Sequence, residues 1–64
     1  MQEFTRITLD PEVMGGKPCI RRMRVTVSTI VGLVSAGYSA KRILKVYPYL
    51  EAEDIKEALA FVAS

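Results

Sequence analysis

Histidine is absent, and Cys19 is the single cysteine in 64 residues. Lacking histidine, the chain has no ready general base for nucleophilic catalysis. A lone cysteine closes no internal disulfide, and Cys19 with carboxylates makes a poor zinc set. No cofactor, metal or enzymatic role is expected. Long apolar runs are also missing, and no stretch approaches the ~18 residues of a membrane span. The lead-in MQEFTRITLD has no apolar core of a secretory leader. A cytoplasmic protein with no membrane segment is expected. Net charge is scarce too: nine basic against seven acidic residues give +2, short of a nucleic-acid-binding tail.

What is present is a 50% hydrophobic chain of one-domain size. A domain this small buries only about 60% of its unfolded surface. Such chains complete the core with disulfides, a metal or a second copy. The first two are poorly provided for, so a homodimer is expected.

The fold class that the pattern predicts is α+β and mostly α. A short N-terminal β-hairpin or strand pair over residues 1–25 precedes a three-helix, helix-turn-helix-like cluster over 26–64. FTRITLD (4–10) alternates, with Phe4, Arg6 and Thr8 opposite Thr5, Ile7 and Leu9. DPEVMGGKP (10–18) carries turn residues, and CIRRMRV (19–25) alternates again. From Thr26 the period becomes helical. Val27, Ile30, Val31 and Val34 fall at i, i+3, i+4 and i+7, between a Thr26 N-cap and a Gly37 stop. A second helix starts from Ser39 as N-cap and ends before Pro48, with Ile43, Leu44 and Tyr47 inward. A third runs from about Ala52 to Ala63, with Ile55, Leu59 and Val62 as its main buried stripe, Ala58 and Phe61 beside it. The helices are expected to lengthen along the chain.

GGKPCIRRMRV (15–25) concentrates the chemistry. It is no phosphate loop, because that loop needs G-x-x-x-x-G-K-[ST] opening a helix and Pro18 follows the lysine here. Cys19 near Lys17 and Arg21 could have a lowered thiol pKa, yet a small buried strand residue is the simpler role. Lys17, Arg21, Arg22 and Arg24 are either charges that blunt a strand edge or a partner-binding set, since arginine suits phosphates and protein interfaces alike. Lys41, Arg42 and Lys45 are candidate DNA phosphate contacts. The first two stand in the opening turn of their helix, where cations oppose the dipole by about 0.3–1 kcal/mol. Glu51, Glu53, Asp54 and Glu57 load the third helix. Four carboxylates there argue against ordinary major-groove reading by that helix.

RITLDPEVMGGKPCIRRMRVTVSTIVGLVSAGYSAKRILKVYPYLEAEDIKEALAF, nearly the whole chain, resembles the bacterial family called domain of unknown function 433. Its pattern is approximately R-I-x-x-D-P-x-[IV]-[CMR]-G-G-K-P-x-I-[RK]-G-T-R-[IV]-P-V, then two helices around G-x-[ST], Y-P-x-L, and a closing A-L-x-[YF]. The resemblance implies a helix-turn-helix grouping and an antitoxin that binds and silences a PIN-like ribonuclease toxin. The alternative it implies is a helix-turn-helix DNA-binding regulator that occupies operator DNA and represses its own operon. Relatives carry Gly-Thr where Arg22-Met23 stand, so no positive-φ turn is expected at residue 22. They often have acidic residues where Lys41 and Arg42 stand, and many continue past the third helix.

Overall fold

The computed structural model describes residues 4–63. Residues 1–3, part of the opening expected to hold no secretory leader, and residue 64 lie outside the described part. β1 (Ile7–Thr8) pairs antiparallel with β2 (Cys19–Ile20), Ile7 facing Ile20 and Thr8 facing Cys19. A single 3-10 turn, Met14–Gly16, lies between them. The helices are α1 (Val27–Ser35), α2 (Ala40–Val46) and α3 (Ala52–Ala63). The expected α+β class stands. The middle helix is the shortest of the three, at seven residues against nine and twelve, so the helices do not lengthen steadily.

Three boundary signals act as their chemistry requires. Thr26 caps α1, its hydroxyl accepting from the Thr29 N–H at 3.1 Å. Ser39 caps α2 in the same way through the Arg42 N–H, also at 3.1 Å. Gly37 has φ +97° and ends α1. The Gly37 N–H reaches the Val34 carbonyl and the Tyr38 N–H the Leu33 carbonyl, each at 3.0 Å. Those paired bonds form a Schellman motif, whose left-handed residue is cheap only for glycine.

The strands are shorter than alternation implied. Extended pairing in the first segment is confined to 7–8, and residues 5–6 are in a turn. In the second segment only 19–20 is strand. Residues 21–24 turn the chain back, so that the Ile20 N–H meets the Val25 carbonyl at 2.9 Å and Cys19 bridges Thr26. β2 is therefore the middle of three extended pieces, and both Cys19 and Ile20 are buried. That burial on both sides is why alternation misjudged it. The turn itself corrects a second expectation. Arg21 has φ +45° and Arg22 φ +61°, the sense of a type I′ turn, closed by the Met23 N–H on the Ile20 carbonyl at 2.8 Å. Two non-glycine residues in this region cost on the order of 1 kcal/mol or more each. Their N–H groups are both claimed by the β1 segment, Arg21 by the Arg6 carbonyl at 2.8 Å and Arg22 by the Thr8 hydroxyl at 2.9 Å. Those bonds hold the turn in place of glycine's freedom.

The core gathers Ile20, Val25, Val27, Ile30, Ile43, Leu50, Ile55 and Ala58, with Val31, Val34, Leu44, Tyr47 and Phe61 packed on it. α3 packs chiefly on α1. Its inward stripe is Asp54, Ile55, Ala58 and partly Phe61. Leu59 and Val62, expected inside, are 36% and 53% exposed. The helix is rotated because a carboxylate, not an aliphatic residue, occupies its inner first turn.

Two glycines with open space around them make opposite predictions. Gly37 has positive φ and Gly32 sits in α1, and a Cβ at either meets no atom within 4 Å. Gly37→Ala therefore lowers stability by about 1 kcal/mol through backbone strain. Gly32→Ala raises it by about 0.5–1 kcal/mol through helix propensity. Urea unfolding midpoints of the two variants should move in opposite directions.

Candidate functional site

Asp54 lies in the first turn of α3 and its side chain is 1% exposed. A buried carboxylate is tolerated only when its charge and lone pairs are met. Oδ1 accepts from Arg6 Nη1 and Arg21 Nε, each at 3.0 Å. Oδ2 accepts from Arg21 Nη2 and the Glu51 N–H, each at 2.8 Å. Four donors fill the capacity of one carboxylate. Arg21 grips it in fork geometry, and its Nη2 also reaches the Tyr49 carbonyl at 3.0 Å. Arg6 additionally pairs with Glu51 through Nη1. The Arg6 backbone N–H donates to Glu57 Oε1 at 2.6 Å. One residue of the N-terminal segment thus bonds Glu51, Asp54 and Glu57 along α3. Phe4 adds an edge-on contact with Phe61, centroids 5.2 Å apart.

Charges respond accordingly. Burial pushes the Asp54 carboxyl up, but hydrogen bonds from Arg21, the Glu51 N–H and Arg6 outweigh it, leaving the group below the usual carboxylate range. The Arg6 guanidinium is raised, first by Glu51 and then by Asp54, and Arg21 is raised by Asp54. Asp10 is lowered, first by the Glu12 N–H and then by Arg22.

The four basic residues read as a partner-binding set do not form one cluster. Arg21 is turned onto Asp54. Arg22 pairs with Asp10 while its side chain stays 70% exposed. Arg24 is exposed on the same turn. Lys17 is exposed before β2, at the opposite end of that strand. Cys19 is buried, its thiol on the Lys17 carbonyl at 3.2 Å. Lys41, Arg42 and Lys45 do come together. With Ser39 they line an open recess of about 420 Å³, and the Arg42 guanidinium lies 4.8 Å from the Tyr38 ring centroid. Among the described residues no salt bridge engages these three cations. No group of three or more His, Cys, Asp or Glu side chains placed to hold a metal occurs among them either. No described helix is long and apolar enough to cross a membrane.

Arg6 and Asp10 were not singled out as site-forming residues, and Asp54 stood only as one of four acids loading the third helix. A signal for Asp54 existed. Asp54, Ala58 and Phe61 fall at i, i+4 and i+7, an inward stripe that begins with an acid. Asp54 also stands three residues after Glu51, the spacing at which a side chain reaches back to the N–H before a helix.

Residues 7–62 match the family described as Protein of unknown function (DUF433). An uncharacterized protein of Sinorhizobium fredii, y4eO, is 40% identical over 52 residues, covering 81% of this chain and 24% of its own length. The crystal structure of a DUF433 member protein from Anabaena variabilis superposes with a TM-score of 0.82 at 38% identity, covering 88% of this chain and 55% of that one. The chain thus spans about a quarter of the first relative and about half of the second.

Removing the Asp54 carboxylate leaves Arg21 without its anion and Arg6 with Glu51 alone. Asp54→Ala should cost about 3 kcal/mol, the low end for a broken buried pair, because Arg21 keeps 37% of its side chain exposed. The pH dependence has a definite sign. Asp54 is lowered in the fold, so its contribution is whole above the ordinary carboxylate pKa of about 3.9 and disappears as pH falls through the folded value. In that window the unfolded chain binds more protons. Urea midpoints should be level near neutrality and drop below about pH 4, and the drop should be smaller in Asp54→Asn.

Proposed function

The chain belongs to the DUF433 family, and from that membership and its surface chemistry we propose that it is an antitoxin that binds and neutralises a PIN-like ribonuclease toxin. It acts in the cytoplasm, as a homodimer, and without catalysis of its own. The supporting observation is the 21–24 turn. Arg22 and Arg24 are exposed on a turn fixed by internal hydrogen bonds and by the Arg21–Asp54 fork. A rigid tip loses little conformational entropy on docking. Arginine forks suit the carboxylates with which such nucleases hold metal. Lys17 extends the basic surface past the other end of β2 and makes a secondary contact. Arg21 serves the tip from inside.

A second reading, a helix-turn-helix DNA-binding regulator that represses its own operon, has one observation in its favour. α2 and α3 are joined by a short turn, and α2 carries Lys41, Arg42 and Lys45 without internal carboxylate partners among the described residues.

Co-expression with the nuclease encoded beside its gene is the test of the antitoxin reading. The wild-type chain should co-purify with that nuclease and relieve its growth arrest. Arg22→Glu with Arg24→Glu should abolish relief while leaving the circular dichroism spectrum unchanged. A wild-type chain that neither co-purifies nor relieves toxicity defeats the proposal.

A further inference from the structure

In a helix-turn-helix, the helix after the turn reads base edges with its first residues. Here that approach is taken by the chain itself. Arg6 lies across the opening turns of α3, bonded to Glu51, Asp54 and Glu57. Glu51 stays exposed although bonded to Arg6, and the other exposed side chains on those turns are Ala52, Glu53 and Lys56. Alanine offers no donor, Glu53 repels the phosphates flanking a groove, and Lys56 alone cannot read a sequence.

The recess on α2 has the opposite character. Lys41, Arg42 and Lys45 converge there and no carboxylate lines it. The Ser39 hydroxyl and the Arg42 N–H are bonded to each other, so the attraction is that of three side-chain cations. Tyr38 beneath Arg42 holds one of them in place.

We infer that α2 carries a sequence-independent site for the phosphodiester backbone of nucleic acid, with Lys41, Arg42 and Lys45 neutralising phosphates and α3 reading no bases. The inference deepens the regulator reading above and rests on it. It changes what that regulator does: the chain supplies affinity for nucleic acid, and sequence preference has to come from a partner.

Fluorescence anisotropy tests this with two labelled duplexes of about 20 base pairs, one from the region upstream of the gene and one a scramble of it. Both should bind within about twofold of each other. With three phosphate contacts per chain, the slope of log K against log salt should be about −2.7 for each chain bound, a loss of about 40-fold per chain between 50 and 200 mM. Each Lys→Gln or Arg→Gln change at 41, 42 or 45 should flatten the slope by about 0.9. The triple variant should approach zero slope with an unchanged urea midpoint. Binding to neither duplex at 50 mM overturns the inference and the regulator reading together. A preference above tenfold for the upstream duplex overturns the inference and leaves the regulator reading standing. Equal binding that survives the triple substitution also overturns it, because the phosphates then sit elsewhere.

Discussion

A carboxylate with a 1% exposed side chain sits in the first turn of α3, and the rest of the structure is arranged to satisfy it. Asp54 draws on three separate pieces of chain. Arg6 comes from the N-terminal segment, Arg21 from the turn after β2, and the Glu51 N–H from the start of its own helix. Burying an ion is unfavourable by several kcal/mol unless its partners are in place. The ion is therefore compatible with only one assembly of those pieces. It also sets the rotation of α3. With Asp54 inward, Ala58 and Phe61 follow it in, and Leu59 and Val62 turn outward.

The same network sorts the charges. Asp10, Glu51, Asp54 and Glu57 all accept bonds from Arg6, Arg21, Arg22 or neighbouring N–H groups. The cations that remain without a salt bridge among the described residues include Arg24, Lys41, Arg42 and Lys45. Three arginines and three carboxylates pair off, so the net charge of +2 is unchanged, and the cations of α2 are left without a salt bridge among the described residues. Glu51 and the three acids of α3 do not act as one acidic face, which removes part of the expected repulsion toward phosphates. Arg6 replaces that electrostatic obstacle with a steric one.

Local chemistry was legible and long-range chemistry was not. Thr26, Ser39 and Gly37 acted where their side chains, or the lack of one, dictate, and α3 spans the residues its periodicity marked. The α2 cluster was legible because its members are sequence neighbours on one helix. Arg21 and Asp54 are 33 positions apart, and no pattern within a window of helix or strand length links them. The turn at Arg21–Arg22 was hidden for a related reason. Glycine usually marks positive φ, and here the Arg6 carbonyl and the Thr8 hydroxyl enforce it from outside the turn. Leu59 and Val62 were misplaced because an apolar stripe was preferred over one that starts with aspartate.

A buried ion pair is a weak source of stability, yet this small domain carries one where isoleucine or leucine would fit the pattern. The strands explain why. Each is two residues long, and pairing so short fixes its register poorly. A slip of one residue would exchange Ile7 for Arg6 or Thr8 opposite Ile20. Apolar residues at 6, 21 and 54 would tolerate that slip, because hydrophobic contact is non-directional. The fork of Arg21 on Asp54 and the bond from Arg6 to the same carboxylate would not, since either shift leaves a buried charge short of donors. That register places Arg22 and Arg24 on the turn and Arg6 across α3. Both the exposed arginine tip and the bonded first turns of α3 are consequences of where one aspartate found its partners.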